Sequence, residues 1–394
     1  MRRAGKTTYL RQLQSQWRAS VEPARVVYLN FEDDRLAGLP LEQLGMLLEE
    51  YYRSYPEWRG RETVWWLLDE IQVVNGWERF VRRLMDTERI EVVVSGSSAR
   101  MLSREVHTSL RGRGTETVIR PFSFREFLRH RGEEPEGKAR ALTSAKRSRV
   151  ERFFGEYLAV GGFPEAQGLA AGLRVDLLQG YVDTVLFRDV VERRGVTQVA
   201  ALRWLTRQCL KNPAGSFSVH RLHQDLKAQG LGVAKDALHA MVGHLEDAFL
   251  LRCVPLATES ERRRNSNPRK IYPVDNGMIG AFDRTGRSNV GHALETVVLH
   301  ELDRRQAEVG YVRTGTGHEV DFLARFHGGR EELIQVCADT GPAETREREL
   351  RALEEALREH PRATPKLLVL NFEQLAVKVS PGVTVQAAYQ WLLD

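Results

Sequence analysis

Three stretches of the chain are apolar without interruption and end in polar residues: 26–29 before Asn30, 64–68 before Asp69 and Glu70, and 92–94 before Ser95. Unbroken runs of this length suit strands buried on both faces of a parallel sheet. Between the first two, residues 41–52 place Leu41, Leu44, Leu47 and Leu48 on one face, the spacing of an amphipathic helix. Helical spacing returns at 177–191, 202–210, 218–226 and 233–247, the last with Leu238, Met241, Val242 and Leu245 on one side. Runs at 249–255 and 270–272 predict strands on either side of an arginine-rich stretch. A helix carrying Val297, Val298 and Leu302 then precedes predicted strands at 311–313, 319–323 and 333–337, a helix at 345–360 and a last strand at 366–370. Helices interleaved with buried strands predict an α/β protein.

The length, 394 residues, is enough for two or three domains. Apolar residues make up 42% and charged residues 28%, the balance of a globular chain. No uncharged apolar run approaches the roughly 20 residues that cross a bilayer, so no membrane partner is expected. Cys209, Cys253 and Cys337 are far apart and lack metal-ligand spacing; they read as reduced thiols of a cytoplasmic protein. A net charge of +5 permits a nucleic-acid partner without requiring one.

The candidate chemistry sits at the ends of the predicted strands. Gly5-Lys6-Thr7-Thr8 matches the close of a phosphate-binding loop, in which backbone N–H groups and the lysine meet phosphate oxygens and the threonine hydroxyl ligates Mg²⁺. Asp69 and Glu70, closing an apolar strand, form the matching acidic pair. Asp69 would hold the Mg²⁺ shell with Thr7, and Glu70 would polarise the attacking water. Ser97 or Ser98, past the third strand, suits a polar sensor of the γ-phosphate, with Ser98 taken as the candidate. Arg113 is a candidate for stabilising transition-state charge; a solvated basic turn is the competing reading. ATP and Mg²⁺ are thus the expected ligands. The first glycine of the loop motif, and the strand feeding it, would precede Met1. On that ground a truncated loop, weak ATP binding and impaired hydrolysis are expected.

The segments 2–7, 68–72, 95–98, 110–113 and 121–127 occur in the same order in prokaryotic AAA-type ATPases with a C-terminal domain of unknown function, and the chain resembles that family over nearly its whole length. The resemblance implies four parts: an ATPase domain at 1–130, a linker and helical lid at 131–200, a winged helix-turn-helix at 201–275, and a terminal domain of restriction-endonuclease-like fold at 276–394. The charged stretch 129–152 is expected as a domain-boundary helix or linker. The winged helix reads in two ways. Either its third helix and the arginines at 262–264, with Arg269 and Lys270, contact DNA, or it is an adaptor between domains. In the terminal domain Glu295 and Asp321 match metal-holding acids, but Gln335 and Cys337 stand where a glutamate and a lysine are needed, so nuclease activity is not expected. The function expected is an ATP-driven switch or remodeller of an unidentified protein partner, with self-assembly open. The alternative is a DNA-binding module whose ATPase is secondary or lost.

Overall fold

A computed structural model describes residues 2–97, 110, 112–283 and 289–394, which form two compact units, 1–120 and 121–394.

The first unit is a three-layer α/β arrangement. Strands β1 (Val26–Asn30), β2 (Val64–Asp69) and β3 (Ile90–Val94) lie parallel in that order, with Asn30 level with Asp69. The alternation within β2 divides the two faces. Val64, Trp66 and Leu68 pack with Leu44, Leu48, Phe80 and Leu84 from α2 (Leu44–Ser54) and α3 (Trp77–Thr87). Leu67 packs on the other face with Leu10 of α1 (Lys6–Arg18). The unbroken apolar runs therefore mark strands covered on both sides.

The second unit begins with α4 (Phe124–His130), fixed by a reciprocal cap between Ser123 and Glu126. Next come α5 (Ser144–Val160) and α6 (Ala171–Thr184), which a π-helical segment, Val185–Glu192, continues. The charged stretch expected as a domain-boundary helix or linker contains much of α5, whose Val150, Phe153, Phe154 and Leu158 are buried in the largest core of the molecule. That core also holds Phe124, Phe127, Tyr272, Leu294, Val298, Phe322 and Trp391, so it runs through all four of the parts drawn from the sequence. The charges of α5 lie on its solvent side, which the sequence pattern alone reads as polarity throughout.

Helices α7 (Val199–Lys211), α8 (Val219–Ala228) and α9 (Lys235–Asp247) accompany an antiparallel sheet of order β4 (Ser216–Phe217), β6 (Arg269–Pro273), β5 (Leu251–Val254). A short helix, α10 (Glu261–Ser266), occupies the arginine-rich stretch between β5 and β6. Past β6, α11 (Gly277–Phe282) leads toward α12 (Val290–Arg304). A five-stranded mixed sheet follows, of order β11 (Thr384–Ala387), β10 (Ala363–Val369), β9 (Glu331–Cys337), β8 (Glu319–Arg325), β7 (Glu308–Arg313). Helix α13 (Ala343–Glu359) covers the face bearing Leu367 and Val369, while Leu368 points into the largest core. The chain ends in α14 (Ala388–Leu393), buried along its whole length. Among the described residues no helix is long and apolar enough to cross a membrane.

Candidate functional site

The amino end of α1 and the carboxyl ends of β1, β2 and β3 come together in the first unit. Helix α1 can open at Lys6 because Gly5 adopts a left-handed conformation, φ 100°. No side chain caps this helix and its first turn carries no acid. Its leading N–H groups and the positive end of its dipole thus suit an anion.

Asp69, the last residue of β2, is 1% exposed. Its Oδ2 accepts hydrogen bonds from Thr7 Oγ1 at 2.8 Å and the Tyr28 hydroxyl at 2.7 Å, while Oδ1 accepts from Ser95 Oγ. Burial, then the hydrogen bond to Asp69, raises the Tyr28 pKa and keeps the hydroxyl a donor. The Arg11 guanidinium lies 3.5 Å from the centre of the Tyr28 ring.

Glu70 is left-handed, φ 54°, a conformation that costs a non-glycine residue about 1 kcal/mol or more. In this position its Oε1 stands 3.1 Å from Lys6 Nζ, and its Oε2 accepts from Gln72 Nε2. Gln72 also reaches Ser97 Oγ at 3.4 Å. Burial disfavours the Glu70 carboxylate, but Lys6 and Gln72 outweigh it and hold the pKa below the ordinary glutamate value.

Gly5, Lys6, Thr7, Asp69 and Glu70 are therefore neighbours. Thr8 lies on the exposed side of the first turn. Ser98 falls outside the described residues. Arg113 ion-pairs with Asp86, near the end of α3, rather than with the Lys6–Glu70 group. Sequence reasoning does not single out Tyr28, Ser95 or Gln72. For Ser95 a signal exists, since it is the first polar residue past β3. Tyr28 looks like ordinary strand filling.

Residues 1–128 match the AAA domain family, and residues 151–289 match a domain of unknown function, DUF8612. An uncharacterized protein of Methanocaldococcus jannaschii is 30% identical over 91% of this chain and 78% of its own length. The chain belongs to this family of AAA-type ATPases. An uncharacterized protein of Haemophilus influenzae is 28% identical over 82% of this chain and 78% of its own. Among solved structures, a Walker-type ATPase of Pyrococcus abyssi is a loose likeness, with 15% identity, 72% of this chain and 89% of that chain covered, and a TM-score of 0.39.

A second polar centre of this AAA-type ATPase lies in the unit 121–394. Glu295 of α12 and Asp321 of β8 come together there around a lysine that stands between them. Lys270 Nζ of β6 is 3.1 Å from Glu295 Oε1, 3.0 Å from Asp321 Oδ1 and 2.8 Å from Glu319 Oε1. The sequence pattern places Lys270 in a basic surface segment. Instead it is 3% exposed, because the central strand of the small sheet turns it inward. Burial works against its charge, but Asp321, Glu295 and Glu319 prevail and raise its pKa. Burial and then Asp321 push the Glu295 pKa up, while the Tyr272 hydroxyl donates to Glu295 at 2.5 Å.

Gln335 takes a structural part in this centre. Its Oε1 accepts from Asp321 N at 3.3 Å and its Nε2 donates to Glu349. The Cys337 thiol points to Asp339 O at 3.2 Å; burial, then Glu349, pushes its pKa up to about 11, so it is neutral near pH 7. Among the described residues, no three His, Cys, Asp or Glu side chains are arranged to hold a metal ion.

Proposed function

We propose that the first unit binds ATP with Mg²⁺ and hydrolyses it, and that the chain uses the cycle as a switch or remodeller acting on a protein partner. The observation that carries this reading is the double pairing of Lys6 with Glu70 and Thr7 with Asp69, which joins the start of α1 to the end of β2. The residues suit the ligands. Lys6 and the leading N–H groups of α1 answer the charge of a triphosphate. The Thr7 hydroxyl and Asp69 carboxylate are hard oxygen donors of the kind Mg²⁺ takes. Bound there, Mg²⁺ would offset charge on the phosphate oxygens. Glu70 is the base that takes a proton from the attacking water, and Gln72 keeps its carboxylate aimed. Lys6 and Glu70 neutralise each other, so transfer of Lys6 to phosphate leaves Glu70 available as a base.

The test is ATP titration and turnover of the full chain with Glu70→Gln and Lys6→Ala. Glu70→Gln is expected to keep nucleotide binding and lose hydrolysis about 100-fold or more. Lys6→Ala is expected to lose binding. Turnover by Glu70→Gln as fast as that of the unaltered chain would remove Glu70 from the mechanism.

A second reading, that α7 to β6 form a winged helix contacting duplex DNA, is favoured by one observation. The acids at the end of α9 are engaged internally: Glu246 accepts from Cys253 N at 3.0 Å, and Asp247 pairs with Arg194 at 2.5 Å. Their charge is thereby partly offset, and Arg262 on α10 stands exposed.

A further inference from the structure

We propose that the groove between α6 and α7 binds single-stranded nucleic acid, with Arg203, Arg207 and Lys211 meeting its phosphates and Phe187 one of its bases. This inference is independent of the nucleotide reading and of duplex contact through α9 and α10.

The groove encloses about 340 Å³. Its apolar lining is Val182 of α6, Leu186 of the π-helical segment and Phe282 at the end of α11. Along α7 the lining is cationic. Arg203, Arg207 and Lys211 follow one another in steps of four residues on one face of the helix, and all three are exposed. Each step is about 6 Å along the axis, so the charges form a row. Just before α7 the arginines are neutralised, Arg193 by Asp189 and Arg194 by Asp247. Among the described residues, no ion pair involves Arg203, Arg207 or Lys211, and Asp183 is the one acid that lines the groove. Like charges one turn apart destabilise a helix. The negative end of the helix dipole accounts for Lys211 but not for Arg203 and Arg207. A row of unpaired cations kept along a groove favours an anion that is itself linear.

The aromatic residue decides the class of that anion. Phe187, at the rim, is 37% exposed, and the Arg203 guanidinium lies 4.8 Å from its ring centre. It belongs to the π-helical segment, a rare winding that is frequent at functional sites. An exposed ring beside a cationic track is how proteins hold single strands, whose bases stack on the ring while the phosphates follow the cations. A duplex keeps its bases stacked inside, away from such a ring. An acidic peptide would use the cations and leave the ring without a role.

The test is fluorescence anisotropy of the full chain without ATP, with a labelled oligothymidylate of about 15 nucleotides at several salt concentrations. An oligouridylate of the same length tells DNA from RNA. Arg203→Ala, Arg207→Ala and Lys211→Ala combined are expected to weaken binding. They are also expected to lower the slope of log affinity against log salt by about 2, at about 0.7 for each phosphate contact to a single strand. Phe187→Leu is expected to weaken binding about 5-fold or more and to leave the slope unchanged. Should the combined variant not fold, Arg207→Ala alone decides, with the slope lowered by about 0.7. Arg262→Ala with Arg263→Ala is expected to leave strand binding as it is, and a loss there would move the site to α10. Strand binding by neither oligonucleotide, or an unchanged slope in the folded variant, overturns the proposal. Displacement of the strand by an equal concentration of a glutamate-rich peptide also overturns it, in favour of an acidic protein segment.

Discussion

A buried carboxylate needs donors, and Asp69 has three: the hydroxyls of Thr7, Tyr28 and Ser95. Thr7 and Asp69 are drawn from motif spacing, but Tyr28 acts only through Asp69, orienting its carboxylate as an outer-shell partner. Tyr28→Phe keeps the ring and removes the hydroxyl. It is expected to weaken the apparent Mg²⁺ affinity of ATP turnover about 10-fold, the usual cost of an outer-shell partner. A Mg²⁺ titration of hydrolysis at saturating ATP checks this, and an unchanged Mg²⁺ dependence would make Tyr28 a packing residue. The residues legible in the sequence are those whose chemistry requires fixed neighbours, such as Lys6 before Thr7 and Asp69 before Glu70. Tyr28 and Lys270 are not legible, because a tyrosine in a strand and a lysine beside arginines have common roles as strand filling and solvated charge. Only the turn of β6 toward α12 gives Lys270 its carboxylates.

At the scale of elements, the two glycines after α5 explain themselves through their neighbours. Gly161 is left-handed, φ 81°, and accepts no side chain: a Cβ there would meet Asp275 Oδ1. A Cβ on Gly162 would lie 2.3 Å from Phe122 O, while Gly162 N donates to Asp275 Oδ2 at 2.7 Å and Gly162 O accepts from Phe122 N at 2.7 Å. Asn276 adds two hydrogen bonds to the carbonyls of Tyr157 and Leu158. This clasp joins the entry of the unit, the end of α5 and the start of α11. Gly162→Ala is expected to destabilise the unit by about 2–3 kcal/mol, since backbone rather than a flexible side chain opposes the new methyl. Gly155→Ala, in exposed helix with open space around its Cβ position, is expected to stabilise by roughly 0.5–1 kcal/mol. Urea unfolding of the two variants side by side tests the contrast, and equal midpoints would refute it. The sequence marks the glycine pair as a turn, and the strands and helices stand near where periodicity puts them. For α5 the sequence leaves helix and linker open and does not show the burial, because the first half of the helix is rich in charge and its core contacts are a few wide side chains, Phe153, Phe154 and Tyr157.

At the scale of the whole molecule, the question is whether the AAA domain works beside a nucleic-acid surface or a protein one. A net charge of +5 over 394 residues decides nothing, because its distribution matters more than its sum. Lys270, counted by composition among the basic residues of the arginine-rich segment, is neutralised inside the protein. On α10, in the same segment, Arg262 and Arg263 are exposed. If the segment binds phosphates, Arg262→Ala with Arg263→Ala lowers affinity for duplex DNA uniformly across sequences. It also lowers the slope of log affinity against log salt by about 0.9 for each phosphate the protein no longer neutralises. Titrating labelled duplexes at several salt concentrations measures both quantities, and ATP turnover with and without duplex tells whether DNA binding is felt at the nucleotide site. An affinity and slope unchanged by the double substitution would assign the segment to a protein interface, which is the adaptor role.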